Sequence, residues 1–365
     1  MISLIVFSFL VSAVAVFILV RRARRHAAGY GADMPQRFHS GDVPRLGGAG
    51  IFFGLAAGLL LAGGAPGDPF HVNWSIPAAA GVLACLFPAV AAGVLEDITQ
   101  QIGVRVRLGL TLGSALLLCY CFDLAIVRTH IAFVDLALSA WPLVGLLFAA
   151  FAIGGLPHAF NLIDGYNGLA GTVAVLISLA ISHVALQLGD RQLAALMLCL
   201  AGGTFGFLVF NYPRGKIFAG DGGAYVLGMV IAIACVALVQ RQPMVSPWFP
   251  ILLLIYPVCE TLFSIYRKLA RGQSPGTADA LHLHQLIFRR IVRPALFDDE
   301  ERKLLVRNNK TAPYLWMLSA VSVVPAMLFW RHTGMLVALS ALFVLLYVGA
   351  YLMIVRFKVP AWLRF

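Results

Sequence analysis

Apolar residues run in long blocks along almost the whole chain, at 2 to 20, 46 to 65, 77 to 95, 108 to 122, 142 to 160, 169 to 187, 193 to 210, 222 to 240, 249 to 266, 313 to 330 and 335 to 355. A spanning helix needs about 20 such residues, because in lipid the backbone must satisfy its own polar groups. The pattern predicts an all-α polytopic membrane protein of about 11 transmembrane helices, forming a single integral membrane domain over residues 1 to 365. The longest polar stretch is 267 to 312, whose run Asp298, Asp299, Glu300, Glu301 reads as a solvated helix start. Residues 123 to 141 read as an outside connection with a short interfacial helix around Trp141.

Composition agrees, with 61% hydrophobic and 12% charged residues, and excludes an ordinary soluble domain. The first apolar run is followed by Arg21, Arg22, Arg24 and Arg25, the reverse of a cleaved secretory signal, so it is expected to persist as a span. The positive-inside bias then puts the N-terminus outside and the C-terminus in the cytoplasm. With that alternation 23 of the 27 Lys and Arg residues fall in inside loops, leaving Arg128, Arg191, Arg241 and Arg331 outside. The net charge of +11 is thus a one-sided membrane signature, suited to anionic lipid and phosphorylated substrates, rather than a nucleic-acid surface. The six cysteines lie in or beside the spans without a metal-binding spacing and read as packing residues; a disulfide between Cys119 and Cys121 is not indicated.

Ionisable groups at membrane depth are costly and point to function. Glu96 and Asp97 end the third span, Asp164 follows the fifth, and Asp221 opens the eighth, all on the cytoplasmic side. Glu260 lies deeper, within the ninth, where a structural partner such as an Arg or a backbone group competes with a functional role. Residues Asn161 to Leu169 crowd amides, a carboxylate and two glycines at one face, either a tight turn or a surface for hydrogen-bonding a nucleotide. Asn211 to Gly223 ends in Gly-Asp-Gly-Gly; a helix N-terminus there would offer amides to phosphate while Asp221 offers hard oxygen to magnesium, the alternative being Asp221 as a helix cap. Glu96 and Asp97 point about 100° apart on a helix, so one is expected near the metal or the attacking phosphate and the other on Arg105 or Arg107. His282 and His284 have no third ligand nearby for zinc, while Arg289, Arg290 and Arg293 are able to grip phosphate or face lipid headgroups.

Taken in order, Pro44-Arg45-Leu46-Gly47-Gly48, Glu96-Asp97, Asn161 to Leu169, Phe218 to Asp221 and His282-Leu283-His284 resemble the successive cytoplasmic motifs of the polyprenyl-phosphate N-acetylhexosamine-1-phosphate transferase family. The motif-bearing catalytic region spans about residues 40 to 293, with C-terminal spans at about 313 to 355. The resemblance implies transfer of N-acetylhexosamine 1-phosphate from a UDP-sugar to undecaprenyl phosphate, releasing UMP, at the cytoplasmic face of a bacterial inner membrane. It implies Mg2+ as cofactor, with Mn2+ as a substitute, and leaves a homodimer open. By the same resemblance Asp221 is the metal ligand and Phe218 the ring stacked on uracil. The resemblance also implies that Asn161, Asp164, Asn167 and Asn211 serve the substrates and His282 and His284 the diphosphate or sugar end; Lys216, Arg107 and Arg289 are expected to bind substrate as well, and Asp97, Glu96, His282 and His284 to be catalytic.

Three departures from the family pattern stand out. Glu96-Asp97 replaces paired aspartates, a cluster of three histidines is reduced to His282-Leu283-His284-Gln285, and Asn167 stands where many members carry aspartate. The Glu-Asp, Tyr-Asn and Gly-Asp-Gly-Gly variants look most like the branch that starts O-antigen, with a teichoic-acid or peptidoglycan role as the alternative. A secondary transporter would call for polar groups at mid-membrane and an internal repeat, and a lipid-binding scaffold would not need Asp221 or Asp97.

Overall fold

Glycine and serine at regular intervals decide how these helices meet, since apolar association in lipid depends on how closely backbones approach. A computed structural model describes residues 1–23, 43–64, 72, 74–274, 281–292 and 299–357. The helices in chain order are α1 Ile2–Arg22, α2 Gly47–Ala62, α3 Ile76–Thr99, α4 Val104–Cys121, α5 Ala132–Ala140, α6 Pro142–Ile163 and α7 Leu169–Gln187. They continue with α8 Arg191–Asn211, α9 Gly220–Arg241, α10 Trp248–Leu253, α11 Ile255–Ala270, α12 Leu283–Arg290, α13 Glu300–Leu328 and α14 Thr333–Val355. Among the described residues nine helices are long and apolar enough to cross a membrane, and the shorter α2 is a tenth apolar helix. The remaining expected span is split at Leu254 into α10 and α11, because Pro257 has no N–H to donate to the Leu253 carbonyl. All eleven apolar runs are therefore helical.

Helix α9 is apolar on every face below its first turn and is buried on every side, contacting α2, α3, α6, α7 and α8. Its first turn meets two other glycines: a Cβ at Gly48 would lie 2.0 Å from the Gly223 nitrogen, and one at Gly93 would lie 2.6 Å from the Gly222 Cα. On the neighbouring seam Ser8 and Ser12 of α1 sit against Gly54, Gly58, Gly202 and Gly206, and Ser12 Oγ donates to the Gly203 carbonyl at 2.6 Å. Gly48→Ala is expected to push α2 off α9 and lower stability by about 1–3 kcal/mol, since the obstructing atoms are backbone. Gly113→Ala, where the space is open, is the silent control in the same thermal-unfolding assay.

The short helix expected near Trp141 is α5, which ends at that residue. The polar stretch 267 to 312 departs from expectation. It contains α12, and α13 begins at Glu300 and runs on through Pro313, with the Asp299 side chain accepting from the Glu301 amide. The acidic start is thus capped and solvated as expected for Asp299 to Glu301. Arg24, Arg25, Arg293 and Asp298 lie outside the described residues. All six cysteines are free, with Cys121 exposed and Cys259 half-buried.

Candidate active site

The chemistry gathers around the first turn of α9. Gly220 takes φ +70°, a conformation that favours glycine, and a side chain there would also collide with the Arg45 carbonyl and the Asp97 carboxylate. The segment before it is fixed by backbone pairing to the start of α2: Phe218 N–H donates to Pro44 O, Gly47 N–H to Phe218 O and Gly48 N–H to Ala219 O, each at 2.9 Å. The Pro44 to Gly48 motif therefore works as a brace for the Phe218 to Asp221 turn.

Three carboxylates confront this helix start. Asp97, 4% exposed at the end of α3, accepts the amides of Asp221 and Gly222 at 2.9 Å each. Asp164 accepts the Gly220 amide. Asp221 itself accepts from Asn161 Nδ2 at 2.6 Å, pairs with the Arg107 guanidinium, and has Tyr225 Oη at 3.5 Å. The expectation that α9 offers free amides to phosphate is thereby corrected, because side-chain carboxylates already occupy them. The cap alternative for Asp221 is also corrected: Asp97 caps the helix from another element, leaving Asp221 to face the cluster. Arg107 pairs with Asp221 rather than with the Glu96-Asp97 pair, and Glu96 accepts the Ile102 amide at 2.7 Å.

Three buried or half-buried carboxylates beside two guanidiniums, Arg45 and Arg107, make a locally anionic cluster. Burial and the nearby Asp221 charge push the Asp164 carboxyl up to about 7, against the opposing pull of the Gly220 amide and Arg45. Such a crowd of hard oxygen donors suits a divalent cation. Among the described residues no group of three or more His, Cys, Asp or Glu is placed to hold an ion alone. Magnesium commonly takes one or two carboxylates and completes its shell with water and phosphate oxygens, so the residues present fit it.

The loop after α6 ties this cluster to two others. Gly165 and Tyr166 meet His284: a Cβ at Gly165 would lie 2.9 Å from His284 Nε2, and the Tyr166 ring stands edge-on to the imidazole at 5.5 Å. His282 and His284 stack at 5.3 Å between centroids, so the two rings act as one wall although their spacing on a regular helix would separate them. The reason is that His282 is the extended N-cap of α12. On the other side, Asn167 donates its backbone N–H to Asn308 Oδ1 at 2.9 Å and its Nδ2 to Asn309 Oδ1 at 3.0 Å. Asn211 accepts from the Gly168 amide at 2.5 Å and donates to the Ile217 carbonyl at 2.8 Å. Asn167 and Asn211 are thus buried joints between loops, at 2% and 4% exposure, while Phe218 is half-buried and Lys216 and Arg289 are exposed.

Several participants were not singled out by sequence. Asn308 and Asn309 lay in a stretch read as polar loop. His158 of α6 sits 3.1 Å from Thr111 Oγ1 and edge-on to Tyr225 at 5.4 Å, within the field of Arg107 and Asp221. An ionisable residue inside an apolar span is the signal that marks it in the sequence. Arg290 is spent on the Ile354 and Val355 carbonyls, at 2.8 and 2.7 Å, and so ties α12 to α14.

Fold and site together define a polytopic membrane enzyme with an anionic cluster, histidines and basic groups at one end of its helices. Residues 79–239 match the model of glycosyl transferase family 4. A Bacillus subtilis (strain 168) protein described as a probable undecaprenyl-phosphate N-acetylglucosaminyl 1-phosphate transferase is 31% identical over 287 residues, 77% of this chain and 76% of its own. Undecaprenyl-phosphate alpha-N-acetylglucosaminyl 1-phosphate transferases of Yersinia pestis and Escherichia coli (strain K12) are 26% and 25% identical, covering 78% and 73% of this chain and 76% and 72% of theirs. The chain belongs to the polyprenyl-phosphate N-acetylhexosamine-1-phosphate transferase family and is a multi-pass membrane phosphoglycosyltransferase.

Proposed function

We propose that the protein transfers N-acetylglucosamine 1-phosphate from UDP-N-acetylglucosamine to undecaprenyl phosphate at the cytoplasmic face of a bacterial inner membrane. The observation that carries this reading is the loop 164–168, which joins the Asp221 carboxylate cluster, the His282-His284 wall and the Asn211 turn beside Phe218 into one surface. The names of the relatives support the sugar and the lipid. The distribution of 23 of 27 basic residues supports an N-terminus outside and a C-terminus inside.

In this reaction a lipid phosphate oxygen attacks the β-phosphorus of the nucleotide sugar. A new P–O bond forms, the bond from that phosphorus to the bridging oxygen breaks, and UMP leaves with the electron pair. A phosphate monoester has a second pKa near about 6, so the attacking group is largely a dianion at neutral pH and needs little base. Asp97, with both oxygens on helix amides, holds the start of α9 and thereby aims Asp221; this favours direct attack over a covalent enzyme intermediate. Asp221 and Asp164 would hold magnesium, with Asn161 orienting Asp221. When bound, the ion supplies charge neutralisation at the diphosphate. Arg107, Arg45, Lys216 and Arg289 balance the remaining phosphate charge, Phe218 offers its ring to uracil, and His282 and His284 serve the diphosphate or sugar end.

The test is transfer of labelled sugar phosphate by purified protein from a panel of UDP-N-acetylhexosamines, with and without chelator. Lipid-linked product from the N-acetylglucosamine donor is expected, abolished by EDTA and restored by excess Mg2+ or, in part, Mn2+. Preference for another donor would overturn the sugar, and full activity in EDTA the metal. The finer reading, initiation of O-antigen, rests on the Glu96-Asp97, Tyr166-Asn167 and Gly220 to Gly223 variants. It predicts that the gene restores O-antigen to a strain lacking its initiating transferase, whereas rescue only of a wall-polymer mutant would assign the alternative.

A further inference from the structure

Beyond the end of the family-4 match, at residue 239, a buried carboxylate stands behind the histidine wall. Glu260 of α11 is 1% exposed, and its Oε1 lies 3.1 Å from His282 Nδ1 and accepts the Leu283 amide at 3.1 Å. Its Oε2 accepts from Tyr347 Oη, on the last helix α14, at 2.7 Å. Within the same turn the His282 amide donates to Gln285 Oε1 at 3.2 Å, and the His282 ring is within capping reach of the Gln285 amide. None of these groups reaches out to solvent: His282 is 6% exposed, Gln285 2% and Tyr347 1%.

Two neighbours compete for His282 Nδ1. The Gln285 amide would require a lone pair there, whereas an ionised Glu260 requires a proton. The two further donors on Glu260, one N–H and one O–H, stabilise the carboxylate, and a carboxylate at 3.1 Å from an Nδ1 lone pair would be repulsive. A proton therefore belongs on Nδ1, and the carboxylate fixes which ring nitrogen points toward Glu260 and which points away.

We propose that Glu260, held by Tyr347, is a positioning residue that fixes the tautomer and pose of His282 and, through ring stacking, of His284. The C-terminal helix α14 is then part of the catalytic support although it carries none of the recognised motifs. This inference rests on the transferase reading for its kinetic arm but not for its spectroscopic one.

Nitrogen-15 NMR of histidine-labelled protein in detergent, with the His282 signals assigned by their loss in His282→Gln, is expected to show Nδ1 protonated. Glu260→Gln is expected to mix the tautomers and to lower kcat by about tenfold or more with KM for the UDP-sugar little changed. Tyr347→Phe, which leaves the carboxylate in place, is expected to fall between it and wild type and covers the case of a poorly folding Glu260 variant. A wild-type His282 with Nδ1 unprotonated, or wild-type kcat in folded Glu260→Gln, would overturn the proposal. An inactive wild-type protein with the Nδ1-protonated ring would instead count against the transferase reading alone.

Discussion

Asp221→Ala is expected to lower sugar-phosphate transfer by about 10³-fold, the scale on which an enzyme loses a charged group aimed at the reacting centre. The side chain is not needed to cap its own helix, because Asp97 already takes the Asp221 and Gly222 amides. The variant should therefore stay inserted and monodisperse, with an unfolding midpoint near that of wild type. What it loses is the carboxylate that meets Arg107, Asn161 and Tyr225 together. Measured by release of UMP at saturating substrates, activity within a few-fold of wild type would remove Asp221 from the site.

Asp97→Asn is expected to act by another route and to show it. An amide in place of the carboxylate presents N–H to one of two helix N–H groups, so one buried hydrogen bond is lost at a cost of about 1–3 kcal/mol, and the start of α9 loosens. Turnover should fall by about 10²-fold, the unfolding midpoint should drop, and more Mg2+ should be needed for half-maximal rate, because Asp221 rides on that turn. A base or nucleophile would behave differently. Loss of turnover with an unchanged midpoint and unchanged magnesium requirement would assign Asp97 to the reacting groups and refute the anchoring role.

The contrast between these two aspartates shows what a sequence carries. Apolar blocks place the spans because bilayer thickness acts on composition alone, and all eleven blocks are helical. Clusters such as Asn161 to Leu169 and Gly220 to Gly223 are visible because polar groups are out of place there. Which partner each group takes is decided by contacts across the chain, as for Asp97 and Asp221, 124 residues apart, and no periodicity records that. The free helix amides anticipated for phosphate are consumed for this reason. Asn308 and Asn309 were hidden because α13 continues through Pro313 into a stretch that reads as loop. Glu260 was visible as a charge at depth; the backbone partner anticipated for it is the Leu283 amide, whereas the histidine and the tyrosine that join it, on separate elements, stand in place of the arginine.

The most direct test of the central claim is to follow which nucleotide leaves. Purified protein given UDP-N-acetylglucosamine labelled in the β-phosphate, undecaprenyl phosphate and Mg2+ should release UMP in step with a lipid product that retains the labelled phosphorus. Release of UDP with an unlabelled lipid product, or no lipid product from folded protein, would contradict it.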